Sequence, residues 1–236
     1  MNVSWLIYWI FNFPFKTNYF EEDFYVSSSN FEAYKLIETW PKWPSRNINI
    51  YGPPGCGKTH LANIFKKKIN TFFINASEIT NNSLSSIKLK ECLVIDDYQN
   101  NIEEKLFYTI LNQIYQSNQY IIINSFEPIN ITEVSLIDLK SRLSSFSNIA
   151  IDLPTDDLIR VVLGKNFSDK QIKVDAKLLD FILKHINRSY DDIFNFIKKI
   201  DETSLSTGKS ININLIKKVL KQWINTELII AMIWPS

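Results

Sequence analysis

The chain has 236 residues, with 26 Lys and Arg against 25 Asp and Glu and a formal net charge of +1. That length accommodates one α/β domain and a smaller appendage around a core that needs no disulfide staples. The near-neutral balance excludes binding to nucleic acid or a membrane surface through overall charge, so any DNA contact is local or indirect.

Residues 1–22 form the first segment. Its first 15 residues are almost wholly apolar, with Trp5, Leu6, Ile7, Trp9, Ile10, Phe11 and Phe13, and no charge precedes Lys16. The run lacks a basic start and a small-residue cleavage site, and it is shorter than the ~20 residues that span a bilayer. We read it as a docking segment, the alternative being a strand or hook packed on its own core. Further on, Ser29-Asn30-Phe31-Glu32 has the pattern of a capping box opening a helix, with Ala33, Leu36, Ile37 and Trp40 at i, i+3, i+4 and i+7. Trp40-Pro41-Lys42-Trp43-Pro44 ends that helix, because proline cannot continue it.

A short β-prone run, Asn47-Ile48-Asn49-Ile50-Tyr51, then empties into Gly52-Pro53-Pro54-Gly55-Cys56-Gly57-Lys58-Thr59-His60, with a helical pattern following in Leu61, Ile64 and Phe65. Strand, Gly-x-x-x-x-Gly-Lys-Thr and helix, in that order, make a phosphate-binding P-loop. A triphosphate must be wrapped by backbone N–H groups, and glycine lets the main chain turn tightly enough to aim them. Three of the five glycines of the chain sit here, which weighs against a chance turn. Lys58 would place its ammonium on the β- and γ-phosphates, Thr59 would offer a hydroxyl to Mg²⁺, and the helix would point its positive end at the anion. ADP or ATP with Mg²⁺ is the expected ligand, with residues 52–60 all candidates for contact.

Residues 71–75 read as a second strand and residues 81–86 as a Ser/Asn-rich loop. A third strand, Cys92-Leu93-Val94-Ile95, closes on Asp96-Asp97-Tyr98-Gln99. A carboxylate at the end of such a strand would hold the water shell of Mg²⁺, assigned to Asp96, while Asp97 would orient an attacking water. By itself an Asp-Asp pair there is more often a turn or a helix cap. A helix striped by Phe107, Ile110, Leu111 and Ile114 leads to a fourth strand ending in Asn124-Ser125, which either sense the γ-phosphate or merely leave the strand. Asp138-Leu139-Lys140-Ser141-Arg142-Leu143 precedes a fifth strand over residues 149–153. Beyond Pro154 only helical stripes follow, built on Leu179, Ile182, Leu183 and Ile186, then Ile193, Phe196, Ile197 and Ile200, then Ile216, Val219, Leu220 and Trp223. Arg188 either reaches the nucleotide or caps a helix in solvent. The fold class is therefore α/β: a core with a five-stranded parallel sheet over residues 23–153, a small helical lid over residues 154–223 and a tail over residues 224–236. Cys56 and Cys92 have no metal-ligand spacing and read as reduced thiols of a cytoplasmic protein.

These segments together, from Gly52-Pro53-Pro54-Gly55-Cys56-Gly57-Lys58-Thr59-His60 through Val94-Ile95-Asp96-Asp97-Tyr98-Gln99 and Asp138-Leu139-Lys140-Ser141-Arg142-Leu143 to the helical lid, resemble the AAA+ core of the bacterial replication initiator DnaA. The lead-in from Asp23-Phe24 to Trp43-Pro44, with Arg188-Ser189-Tyr190 in the lid, is similar to the shorter relative Hda. The resemblance covers roughly residues 13–223. It implies a nucleotide-binding regulator that docks on the sliding clamp through its N-terminus, here residues 8–13, and stimulates ATP hydrolysis by DnaA, a negative regulation of replication initiation. It further implies Arg142 as an arginine finger acting on a neighbouring nucleotide, Val26 and Asn30 beside the adenine, Asn124 and Ser125 at sensor one, and Arg188 near sensor two.

Three departures stand out. Tyr8 occupies the glutamine position of the clamp-binding peptide, and Asp191 occupies the position of the lid arginine of the initiator. Only residues 224–236 follow Trp223, so a helix-turn-helix DNA-binding domain is not expected there, and DNA is met only indirectly. Asp97 is a carbon shorter than the glutamate of many AAA+ enzymes, which implies slow intrinsic hydrolysis. No membrane partner is expected, and finger chemistry in trans fits either a homo-oligomer or a mixed pair with the initiator. The alternatives are a helicase-loader type of AAA+ ATPase and, further off, a free-standing P-loop phosphotransferase.

Overall fold

The structure is a computed structural model describing residues 24–233, with side chains described as far as Ile224. The docking segment, including residues 8–13, and the apolar run at residues 228–234 therefore lie outside the described residues or side chains.

Five strands, β1 (Asn47–Tyr51), β2 (Thr71–Asn75), β3 (Cys92–Tyr98), β4 (Tyr120–Ser125) and β5 (Ser147–Ala150), form one parallel sheet in the order β2-β3-β4-β1-β5. Alternate residues of each strand point to opposite faces, and both faces are apolar because both are covered. Leu93, Ile95, Ile121 and Ile123 pack on one side with Phe107, Ile110 and Leu139. Val94, Ile122, Ile48 and Ile50 pack on the other with Leu61, Phe65 and Ile37. The covering helices are α1 (Phe31–Thr39), α2 (Lys58–Lys66), α3 (Ser83–Lys88), α4 (Glu104–Gln116) and α5 (Ile137–Ser144).

One polar side chain sits in the middle of this sheet. Asn49 is fully buried and fully used: Nδ2 donates to the Ile123 carbonyl and to Ser125 Oγ, both at 2.8 Å, while Oδ1 accepts from the Ile129 N–H at 2.9 Å. A buried amide costs little once every group is paired, and this one fixes the turn that leaves β4.

Four elements differ from the sequence reading. Helix α1 begins at Phe31 without a side-chain cap, because the Asn30 amide bonds instead to the Ser27 N–H and the Tyr25 carbonyl. Residues 81–86 lie largely in α3, and Leu84 packs against the core where a loop was expected. Strand β3 continues to Tyr98 through an irregularity between Ile95 and Tyr98, with Asp97 at φ +54°. Strand β5 lies earlier than expected, since the Asp152 N–H bonds to the Ser29 carbonyl and pulls the chain out of the sheet.

Beyond Pro154 come α6 (Asp156–Asp169), α7 (Ala176–Leu183), α8 (Tyr190–Thr207) and α9 (Ile213–Ile233). Thr155, Asp175 and Ser189 accept backbone N–H bonds at the starts of the first three, as good N-caps do. Helix α6 shows no single stripe in the sequence because it serves two cores. Leu158 packs with the sheet, Ile159, Leu163 and Phe167 pack with the helical bundle, and Val162 touches both. Among the described residues, no helix is long and apolar enough to cross a membrane.

Candidate functional site

The tip of β1 turns at Gly52, whose φ is +154° and where an added Cβ would stand 2.3 Å from the Ile151 carbonyl oxygen. Only glycine tolerates both the conformation and that approach. The loop then runs to Gly57, the N-cap of α2, directly beneath the Phe24 ring. Lys58 reaches back across its own loop, donating to the Gly52 carbonyl at 2.7 Å and the Pro53 carbonyl at 2.9 Å. Its ammonium also lies 3.6 Å from Cys56 Sγ. Burial pushes the Cys56 thiol above its ordinary value despite that cation, so Cys56 acts as a small buried hydrophobe.

Three strand and helix ends converge beside this loop. Thr59 Oγ1 donates to Asp96 at 2.9 Å, and Asn124 Nδ2 donates to the same carboxylate at 2.7 Å. Asp96 and Asn124 are both buried, and Asn124 Oδ1 has no partner. A cavity of about 780 Å³ opens here, lined by Lys58, Asp97, Asn100, Ser125, Glu127 and Glu133 among others. Asp97 is exposed on its rim and accepts from Gln99 Nε2 at 2.8 Å. The described residues hold no cluster of three or more His, Cys, Asp or Glu suited to a metal ion. The donor set is instead one hydroxyl beside one carboxylate, which suits Mg²⁺, a hard cation that keeps several waters and shares its sphere with phosphate oxygens.

On the other side of the loop a smaller cavity, about 230 Å³, lies between the glycines and the helical bundle. Phe24, Tyr25, Tyr190 and Phe194 line it together with Asn30 and Leu158. Phe24 stacks on Tyr34 with centroids 5.9 Å apart and meets His60 edge-on at 5.4 Å. An added Cβ on Gly55 would sit 3.1 Å from Tyr190 Cβ, so α8 rests directly on the loop. Burial raises the Tyr190 phenol to about 12.

A family model described as "Hda, lid domain" matches residues 156–220, and one described as "RNA helicase" matches residues 48–125. The chromosomal replication initiator protein DnaA of Buchnera aphidicola subsp. Baizongia pistaciae is 30% identical over 242 residues, which cover 90% of this chain and 52% of that protein. Together these matches support an Hda/DnaA-related AAA+ family for this chain. Its fold agrees with that of domain III of the Thermotoga maritima DnaA, which superposes with a TM-score of 0.70 at 21% identity and covers 89% of this chain and 99% of that one. The AMPPCP-bound DnaA from Aquifex aeolicus gives 0.62 at 21% identity, covering 80% and 66%. The chain spans about half the length of the DnaA proteins it matches.

Within this AAA+ architecture the residues expected at the site divide. Residues 52–59 and Asp96, Asn124 and Asp97 are gathered at the loop, and Asn30 lines the small cavity. Ser125 lines the cavity, where its hydroxyl accepts from Asn49 and donates to the Glu127 carbonyl at 2.6 Å. Val26 is half-buried and outside the lining of the small cavity, where Tyr25 stands. Arg188 lines neither cavity. It is exposed and bonds through Nε to Asp156 at 2.6 Å, holding that carboxyl below its ordinary value. Arg142 also lines neither. It lies on α5, donating to Asn112 Oδ1 at 2.9 Å with its guanidinium 4.5 Å from the Tyr115 ring centroid. The aromatic residues of the small cavity were not singled out. Their signal was their position within the quoted lead-in and lid segments, Phe24-Tyr25 and Tyr190.

Proposed function

We propose that this AAA+ protein binds ADP or ATP with Mg²⁺ between core and lid and regulates replication initiation, stimulating ATP hydrolysis by DnaA together with the sliding clamp. The observation that carries the reading is the hydrogen-bonded set Thr59, Asp96 and Asn124 beside Lys58, with Tyr190 of the lid resting on Gly55 of the same loop. Backbone N–H groups of residues 55–59 and the start of α2 would hold the phosphates, with Lys58 exchanging its carbonyl partners for phosphate oxygens. Thr59 and Asp96 would hold Mg²⁺, which supplies neutralisation of phosphate charge. Asp97, at the cavity rim, orients water with a short side chain, which accords with slow intrinsic turnover.

The placement of Arg142 supports finger action in trans. Since it lines neither cavity of its own subunit, its guanidinium serves a nucleotide held by a neighbour, either DnaA or a second copy. Docking on the clamp through residues 8–13, with DNA reached through the partners, completes the assignment. The test combines purified protein, clamp on DNA and ATP-loaded DnaA. Stimulated hydrolysis is expected, and Arg142→Ala should lower it about a thousandfold with nucleotide binding by the variant unchanged. Equal stimulation by the variant would remove the finger assignment.

A further inference from the structure

Several cations of the helical bundle are matched by carboxylates: Arg160 by Asp157 and Asp180, Lys170 by Asp201, and Arg188 by Asp156. Lys177 on α7 and Lys217 and Lys221 on α9 have no carboxylate partner among the described residues, and all three line one groove of about 740 Å³ between those helices. Its floor is Leu178 and Phe181 from α7 with Ile213 and Ile224 from α9. Phe181 and Ile213 are left 46% and 39% exposed, although Leu178 beside them belongs to the bundle core. The one carboxylate of the lining, Asp175, is engaged as the N-cap of α7, accepting the Leu178 N–H at 2.8 Å.

We propose that this groove seats an acidic amphipathic helix of a partner protein. The lining comes from α7, its N-cap and α9, whose backbone groups are spent within the helices, and no strand borders it to pair with an extended chain. A segment laid there must satisfy its own N–H and C=O groups, as a helix does. Ile213, Lys217, Lys221 and Ile224 follow at i, i+4, i+8 and i+11 on one face of α9. At 1.5 Å per residue that face runs about 16 Å, or three helical turns. Apolar residues at i, i+3, i+4 and i+7 of the occupant would cover the floor, and carboxylates flanking that stripe would meet the three ammonium groups. Nucleic acid fits less well, since its phosphates gain nothing from an apolar floor, and a flat bilayer has no ridge to enter a concave groove. Neither α8 nor the glycine loop contributes to the lining, so the groove stands apart from the nucleotide reading.

The test measures fluorescence anisotropy of a labelled synthetic helix, longer than the ~15 residues an isolated helix needs to form, with leucines in that pattern and glutamates on both flanks. Its twin carries lysines for the glutamates. Both are titrated with the full wild-type chain and with a Lys217→Glu, Lys221→Glu variant at low and high salt, and carbodiimide then joins lysines to any carboxylates held against them. The acidic helix should bind wild type saturably, one per chain, and crosslink to Lys177, Lys217 or Lys221. The variant should bind it at least about tenfold more weakly at low salt, bind the lysine twin instead, and unfold at the wild-type temperature. Wild type that ignores the acidic helix, or binds its lysine twin as tightly, overturns the proposal. So does binding of duplex DNA or phosphatidylglycerol vesicles through the same lysines where the helix fails to bind. Crosslinks from these lysines to a second copy or to residues 1–22, in place of the added helix, assign the groove to that occupant and overturn it as well.

Discussion

The two sides of the glycine loop are made of different material. On the Asp96 side the groups are polar, buried and hydrogen-bonded, and they come from the ends of β3, β4 and α2, all anchored in one sheet. On the Tyr190 side the wall is aromatic and aliphatic and comes from three separate stretches: the lead-in at Phe24 and Tyr25, the loop itself, and lid helices α6 and α8. A receptor for phosphate and metal has to hold its charges at fixed distances, so it belongs on rigid strand ends. A wall that exists only where core and lid meet is suited to report whether they have met. On the proposed nucleotide reading, the phosphate side would confer binding and the aromatic side would transmit it.

Replacing a residue of the phosphate side should have the largest effect. Lys58→Ala is expected to weaken ADP and ATP binding by about a hundredfold or more, read by titration, since a charge contact and the loop geometry it holds are lost together. Stability separates core from lid next. Gly52→Ala puts a Cβ against the Ile151 carbonyl at a φ of +154° and should cost about 3 kcal/mol of unfolding free energy. Gly208→Ala, at the end of α8 with nothing within 4 Å, should cost only about 1 kcal/mol for its left-handed conformation. Equal costs in denaturant melts would show that the loop is less tightly fixed than the strand ends beneath it. The smallest effect belongs to Arg188. Because it bonds to Asp156 in solvent and lines neither cavity, Arg188→Ala should change nucleotide affinity by less than about twofold. A tenfold loss would restore it as the lid contact.

The same contrast decides what the sequence discloses. Gly52, Gly55, Gly57, Lys58 and Thr59 lie in one continuous stretch, and Asp96 and Asn124 each close an apolar strand, so their types and spacing announce both the parallel sheet and the phosphate side. Asn124 and Ser125 look alike in a sequence, yet strand alternation sends only Asn124 to Asp96, and the buried Asn49 claims Ser125. The aromatic wall has no such signature. Phe24 and Phe194 are ordinary apolar residues until the lead-in and α8 are folded onto the loop. Helix α6 hid because its apolar positions divide between two cores, and β5 shifted because the carbonyl of Ser29, more than a hundred positions away, claims the Asp152 amide. Long-range partners of this kind lie beyond any local pattern.

The most direct measurement is calorimetric titration of Mg²⁺–ADP into the purified chain, checked by chromatography of any nucleotide released on denaturation. Saturable binding of one adenine nucleotide per chain is the expected result. A chain that is empty on denaturation and gives no heat with ADP or ATP would contradict the assignment of the Lys58 loop, and the regulatory role built on it.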